Sequence, residues 1–239
     1  MTATNPYALN PNLSIKLLNP ASNIQKVIVI ENLLQNPQAL TDFAIENNFE
    51  PYPRTASGKG YPGVRLTPPS EYSLAITEFI KPLIQREFSV DTDLEMRKSE
   101  CAISLMTLKP EELGAVQRLP HFDTSNINQF AVLLYLCNHK HGGTAFYRHN
   151  KTGLEFITPQ NCDHYLNTFY AELDKQEPPL EYFADSDEQF TKLGFLPAAV
   201  NRMVIYRSCV LHSPYIDPAI SIDANPSTGR LTVNTFVAF

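Results

Sequence analysis

PHFDTSNINQFAVLLYLCNHKHGGTAF, residues 120–146, is the stretch on which the reading of the whole chain turns. From Gln129 to Cys137 it is almost wholly apolar, which predicts a strand covered on both faces. His139 to Gly143 follows as a turn, and Thr144 to Arg148 as a second short strand. Just upstream, His121 and Asp123 lie two residues apart, so on an extended strand or its end both side chains project to one face. An imidazole and a carboxylate placed in this way supply two of the three ligands of a divalent iron. The third is expected from a distant histidine, and positions stay open for a chelating substrate and dioxygen. The bland reading of His-x-Asp is a solvated turn, so the rest of the chain has to supply the support.

Downstream, residues 160–193 carry helical patterns: Tyr165, Leu166, Phe169 and Leu173 in one, then a Ser186-x-x-Gln189 capping box that predicts the start of another. Strands resume at Asn201 to Tyr206, Cys209 to His212 and Leu231 to Phe239. Upstream, Cys101, Ile103 and Leu105 alternate with Ala102, Ser104 and Met106 as a strand does. Ile24 to Ile30 is β-branched and strand-like. Residues 37–48 read as a helix behind Asn36-Pro37, with Leu40, Phe43 and Ala44 on one side. A second helix begins at Ser70, which can cap it, and presents Tyr72, Ile76, Phe79, Ile80, Leu83 and Ile84; Pro82 is expected to kink or shorten it. Between the helices, residues 50–70 read as a loop with a flexible spot at Ser57-Gly58-Lys59-Gly60. Within it Tyr61-Pro62-Gly63-Val64-Arg65 holds an aromatic ring and an arginine on a turn, either as turn chemistry with a surface ion pair or as a substrate-facing loop. The sum is a mainly β, α+β fold: one domain over 1–239, helix-rich over about 1–95, with an antiparallel core over about 96–239 and a helical insertion at about 160–193.

At 239 residues the chain is long enough for an ample core without disulfide or metal staples. The 19 prolines against 9 glycines point to rigid connections. A net charge of −6 offers no general basic surface to nucleic acid or to an anionic membrane. No apolar run reaches membrane-spanning length, and Met1 to Asn12 has neither a basic nor an apolar segment of a secretory signal. Cys101, Cys137, Cys162 and Cys209 are scattered, and three of them sit in apolar runs where a reduced thiol is the default. A cytoplasmic location is the expectation, with no nucleic-acid or membrane partner; a homodimer is compatible with the sequence.

Several motifs now stand in order. His121-x-Asp123, then LLYLCN (133–138), then Gly142-Gly143-Thr144-Ala145-Phe146 resembles the core of the iron(II)/2-oxoglutarate-dependent oxygenases, closest to their prolyl-hydroxylase-like branch. Pro197-x-x-x-Asn201-Arg202-Met203-Val204-Ile205-Tyr206, followed by Leu211-His212, resembles the strand pair that carries that family's distal histidine. Gly229-Arg230-Leu231-Thr232 before a final apolar strand resembles its 2-oxoglutarate anchor. The resemblance covers roughly residues 100–239.

What the resemblance implies is a double-stranded β-helix, the cupin-like jelly-roll, in which His212 returns beside His121 and Asp123 to complete a facial triad of metal-binding and catalytic residues. Arg230 would grip the distal carboxylate of 2-oxoglutarate through parallel hydrogen bonds. Thr232, two residues on, would add a hydroxyl, and Tyr135 resembles a strand tyrosine used for the same carboxylate, although alternation leaves open whether Tyr135 or Leu134 faces inward. The implied cofactors are iron(II), 2-oxoglutarate as cosubstrate and dioxygen; the implied activity is a dioxygenase, hydroxylation by default, on a small molecule or a peptide. One departure stands out. Arg230 follows His212 by 18 residues, a longer interval than the prolyl-hydroxylase-like members keep. Arg207 is a rival anchor but precedes the histidine, where a strand-end surface charge is expected. His139 and His141 read as a surface pair, His149 and His164 as surface or helix residues. Two other classes fit the same barrel: a catalytically silent cupin-like binding module, and a metal-dependent isomerase or hydrolase that uses no 2-oxoglutarate.

Overall fold

In a computed structural model, which describes residues 5–20, 26–53 and 60–239, the apolar run from Gln129 is an inner strand of an antiparallel sheet. The elements in chain order are β1 (Ser14–Leu18), β2 (Val27–Glu31), α1 (Gln38–Glu46), β3 (Glu50–Pro51), β4 (Gly63–Leu66), α2 (Ser70–Phe88), β5 (Arg97–Met106), β6 (Gln129–Tyr135), β7 (Gly143–His149), α3 (Cys162–Leu173), β8 (Phe190–Pro197), β9 (Arg202–Arg207), β10 (His212–Tyr215) and β11 (Leu231–Ala238). The molecule is mainly β. Eight strands form one sheet in the order β1-β2-β9-β6-β11-β5-β4-β3, and β10-β7-β8 form a second; the pairings in both are antiparallel.

Alternation sorts the large sheet into two faces. Ile103 and Leu105 of β5, Phe130, Val132 and Leu134 of β6, and Leu231, Val233 and Val237 of β11 point outward, into a core closed by α2 through Tyr72, Ile76, Ile80 and Ile84. The other face carries Ala131 and Tyr135 of β6 with Val204 and Tyr206 of β9, and the small sheet covers it through Phe146 and Leu196. Tyr135 therefore faces the small sheet and Leu134 the helices, which settles the alternation that an apolar run leaves open.

The N-terminal part holds both α1 and α2, and strands besides. Four of its segments are strands, and they extend the large sheet at both edges: β2 beside β9 through Ile28↔Ile205, and β4 beside β5 through Arg65↔Ser104. Asn201, in a left-handed conformation at φ 66, fastens the first edge, its side-chain amide accepting from Leu34 N and donating to Leu34 O, both at 2.9 Å. β4 also places Gly63 to Arg65 in a strand where a turn was expected; of the flexible spot, Ser57 to Lys59 lie outside the described residues.

Pro82 neither ends nor shortens α2, which runs unbroken over 19 residues. Its ring and Glu78, whose carbonyl loses a donor, are both exposed, so water can take the freed carbonyl while seven buried residues hold the helix to the sheet. Ser70 is the first residue of that helix and makes no side-chain cap. The Ser186-x-x-Gln189 reading also fails: Ser186 Oγ accepts from Lys192 N at 2.9 Å, and Phe190 opens β8, leaving α3 as the helix of the 160–193 segment. The sequence there has the side-chain acceptors of a capping box, but the residues that follow pair with β7, and that pairing wins. Among the described residues no helix is long and apolar enough to cross a membrane.

Candidate metal centre and its cavity

His121 and His212 are brought together by the backbone. Each donates its amide N–H to the other's carbonyl at 2.8 Å, an isolated antiparallel bridge at the start of β10, and the two rings lie 4.4 Å apart. Asp123 is set beside them by its own amide, which donates to Ser208 O at 2.9 Å. Its carboxylate oxygens stand 3.9 Å from His121 Nε2 and 3.9 Å from His212 Nε2, and the three possible ligand atoms lie within 4.8 Å of one another. At 3.9 Å these are not hydrogen bonds. They are three donors gathered around a common point.

The protonation of the site suits a cation. His212 is buried, and its Nδ1 lies 2.9 Å from Val210 O, a bond that requires the proton on Nδ1 and leaves the lone pair on Nε2. Tyr206 supports the ring edge-on at 5.0 Å. Desolvation, reinforced by the neighbouring His212, pulls the His121 imidazole down to about 3, so it is neutral; the 47 % of its side chain that is accessible belongs to the wall of the cavity. Burial raises Asp123, with His212 and Ser208 opposing that shift. Ser208 Oγ is buried without a hydrogen-bond partner next to the carboxylate it can steady.

The triad opens onto a cavity of about 960 Å³. Arg230 lines it and is 6 % exposed. Its Nε donates to His141 O at 3.2 Å and its Nη2 to Gly143 O at 3.0 Å, so the Gly-Gly turn and the arginine are one construction. That turn needs its glycines: Gly142 has φ +76, and a Cβ there would lie 1.7 Å from Tyr215 O, while one at Gly143 would lie 2.0 Å from Leu196 O. Tyr135 lies behind Arg230, its ring centroid 5.8 Å from the guanidinium carbon. Its hydroxyl, 2.6 Å from Thr144 Oγ1, is occupied there, and burial pushes its pKa up to about 12. Thr232 is fully buried and donates at 3.4 Å to Ser104 O. Of the three residues named for 2-oxoglutarate, Arg230 is the one in the cavity wall.

Arg207 is remote from this cavity, donating to Ile127 O and to Phe88 O and stacking on Phe88 and Phe130. His149 is not on the surface. It is 1 % exposed, with Nε2 2.8 Å from Glu172 of α3 and Nδ1 2.9 Å from Thr152. A β7 histidine reads as surface because its partner lies 23 residues on, in a helix that the sequence does not tie to β7. His139 and His141 lie in a 3₁₀ turn, and His164 is exposed on α3.

Much of the rest of the cavity wall comes from the helical insertion and from the stretch around Tyr61–Arg65, which faces the cavity rather than serving only as turn chemistry. One wall is α3, through Tyr165, Leu166, Phe169 and Tyr170. Another is formed by Tyr52 and by Gly60, Tyr61, Pro62 and Arg65. The Tyr61 hydroxyl is buried without a hydrogen bond, beside Thr232 and between the guanidinium groups of Arg230 and Arg65. Arg65 Nη1 donates to Glu100 Oε1, and the guanidinium stands 4.4 Å from the ring centre of Tyr52 and 5.0 Å from that of Tyr61. The pair joins residues 35 apart, which no local pattern reveals.

The family profile that matches the chain covers residues 11–237. The chain belongs to the DUF6445 family. That family is described as one of unknown function. No curated protein matches the sequence significantly. Among solved structures, this DUF6445 chain is similar to the non-heme alpha-ketoglutarate-dependent carbocyclase SnoK from nogalamycin biosynthesis, at 12 % identity and a TM-score of 0.48, with 90 % of this chain and 79 % of that one covered. It is also similar to HygX from Streptomyces hygroscopicus, solved with iron bound, at 8 % identity and a TM-score of 0.43, with 89 % and 81 % covered. Both likenesses are remote, and the site of this DUF6445 chain stands on its own geometry.

Proposed function

We propose that this DUF6445 chain is an iron(II)/2-oxoglutarate-dependent oxygenase, by default a hydroxylase, built as a single domain over 1–239 on a double-stranded β-helix of the prolyl-hydroxylase-like branch. The observation that carries the reading is the convergence of His121, Asp123 and His212 on one point at the edge of a cavity whose wall also holds a buried, backbone-fixed arginine. Two neutral imidazoles and one carboxylate fit iron(II), and the side facing the cavity is left for other ligands. The His212 Nδ1–Val210 bond fits as well, because it presents the ligating nitrogen without a proton.

Iron(II) with 2-oxoglutarate and dioxygen supplies the oxidising power for attack on a substrate C–H bond. The protein's part is position and shielding. Arg230, unable to lose its charge, would hold the distal carboxylate of 2-oxoglutarate, with the Tyr61 hydroxyl beside that carboxylate, Thr232 packed beneath the wall and Tyr135 bracing the guanidinium. The α3 aromatics, together with Tyr52 and Tyr61, would exclude water from the reacting centre.

The test is an anaerobic titration of the metal-free protein with iron(II), with and without 2-oxoglutarate. A visible charge-transfer band is expected only with both, and it is expected to vanish in His212→Ala and in Arg230→Ala. Metal binding without the band overturns the 2-oxoglutarate reading in favour of another metalloenzyme. Failure to bind any metal points to a silent binding module.

A further inference from the structure

The cavity holds a second charged construction that the reading above leaves unused. Arg65 faces the cavity from β4, and Glu100 and Asn234 face it from β5 and β11. The strand registers set them on one face, with Arg65 and Asn234 on the two sides of β5. Asn234 lies opposite Ala102 and Arg65 opposite Ser104, and the arginine side chain runs along the floor, past Ala102, to reach Glu100. His121, Asp123 and His212 line the same cavity as this floor.

Three features say that the floor is incomplete as it stands. Arg65 Nε–H is buried with no acceptor, although only 14 % of that side chain is exposed. Asn234 Oδ1 is buried with no donor. Glu100 remains 39 % exposed while lining the cavity. A buried donor and a buried acceptor left unmatched on one face, too far apart to satisfy each other, are costly, and a ligand that supplies both complements would relieve the cost. The Tyr52 and Tyr61 rings fix the guanidinium in place for it.

The charges narrow the ligand. Resting on the proposed oxygenase site, iron(II), Asp123, Arg230 and a 2-oxoglutarate dianion cancel among themselves. Arg65 and Glu100 cancel as well, so a third ligand is expected to be neutral overall yet to offer an acceptor to Arg65 and a donor to Asn234 and Glu100. A zwitterion meets both conditions. We propose that the Arg65–Glu100–Asn234 floor is the primary-substrate subsite and that it takes the head group of a free α-amino acid. The carboxylate accepts from Arg65 Nε, the ammonium donates to Asn234 Oδ1 and Glu100, and an apolar side chain lies toward Tyr165, Leu166 and Phe169. A cavity of about 960 Å³ has room for this molecule beside 2-oxoglutarate.

The test uses the full chain, metal-free and again saturated with manganese(II). Each of the twenty protein amino acids is added in a thermal-shift assay, and the best ligand is then titrated calorimetrically. Its N-acetyl derivative and its primary amide, which each remove one charge, are titrated alongside, as are Arg65→Met and Glu100→Gln. An apolar amino acid is expected to raise the melting temperature. Each derivative and each variant is expected to bind it roughly tenfold more weakly or worse, the value of one lost charge-assisted hydrogen bond. The two derivatives need no variant to fold, so a failed Arg65→Met leaves the test intact. No shift with any amino acid, in either metal state, overturns the proposal. So does binding that the derivatives and variants match within about twofold. Amino-acid binding in a protein that shows no charge-transfer band would sustain this subsite while removing the oxygenase reading.

Discussion

The two faces of β5, β6 and β11 are made by the same three strands and do opposite work. The outer face, through Ile103, Val132, Leu134, Val233 and Val237, is apolar and closed against α2. The inner face carries Glu100, Tyr135, Thr232 and Asn234, and its polar atoms include some with no partner at all. Apolar packing is concentrated on the first face; of these three strands' own side chains, the unmet acceptor Asn234 Oδ1 lies on the second, while across the first the Tyr72 hydroxyl of α2 is also unpartnered. The division follows from the period of two, which lets one strand satisfy packing and chemistry without either constraining the other.

The most forceful way to break the comparison is to cut the outer face. Leu134→Ala removes a side chain with no exposure from the core under α2. It is expected to cost about 2–5 kcal/mol in denaturant unfolding, while iron(II) affinity of the folded protein stays near wild type. An equal loss of metal affinity would show that the two faces are not separable.

Next in size is the turn that links them. Gly142→Ala puts a Cβ into Tyr215 O at a φ of +76. Strain of this kind costs about 1–3 kcal/mol. More tellingly, the turn would shift the carbonyls of His141 and Gly143 that hold Arg230. The expected signature is a weaker affinity for 2-oxoglutarate, read from the charge-transfer band, with iron(II) affinity retained. Loss of both together would mean that the turn supports the whole site.

These cases show which parts of the molecule the sequence reveals. His121, Asp123 and His212 are legible because their chemistry is rare in combination, and Gly142-Gly143 because two glycines in a row demand a backbone reason. The orientation of Tyr135 is not legible, since QFAVLLYLC is apolar at both parities and alternation goes silent. Pro82 misleads because its cost depends on whether the freed carbonyl meets water, a tertiary fact. Arg65 with Glu100, and His149 with Glu172, are pairs made by strand register and helix docking, to which local patterning is blind. Their members look like ordinary surface charges until the partner is in place.

His149 gives a smaller effect, felt through pH. Burial lowers its pKa, and Glu172 offsets this only in part. Its folded pKa thus lies below the unfolded value, so the unfolded state takes up the proton first. The contribution to stability is full above about pH 6.5 and declines as the pH falls below it. His121, lowered to about 3, acts in the same direction. The melting temperature of the metal-free protein is expected to drop between pH 7 and 5, and His149→Asn to flatten part of that drop. A melting temperature that rises on acidification would contradict the neutral state of both rings.

The smallest expected effect on stability is the sharpest test of the comparison. Asn234→Leu replaces a half-buried amide, whose buried Oδ1 has no partner, with an apolar side chain of similar size. On the outer face any comparable change of polarity would unfold the protein. On the inner face the orphaned acceptor disappears and nothing bonded is lost, so stability is expected to be unchanged or to rise by up to about 1 kcal/mol. If the floor exists to hold a ligand, the same variant binds its amino acid more weakly. A gain in stability joined to a loss of binding is the mark of a group kept for function at a cost to the fold. A clear loss of stability instead would mean that Asn234 has a structural partner and that the inner face is a second core.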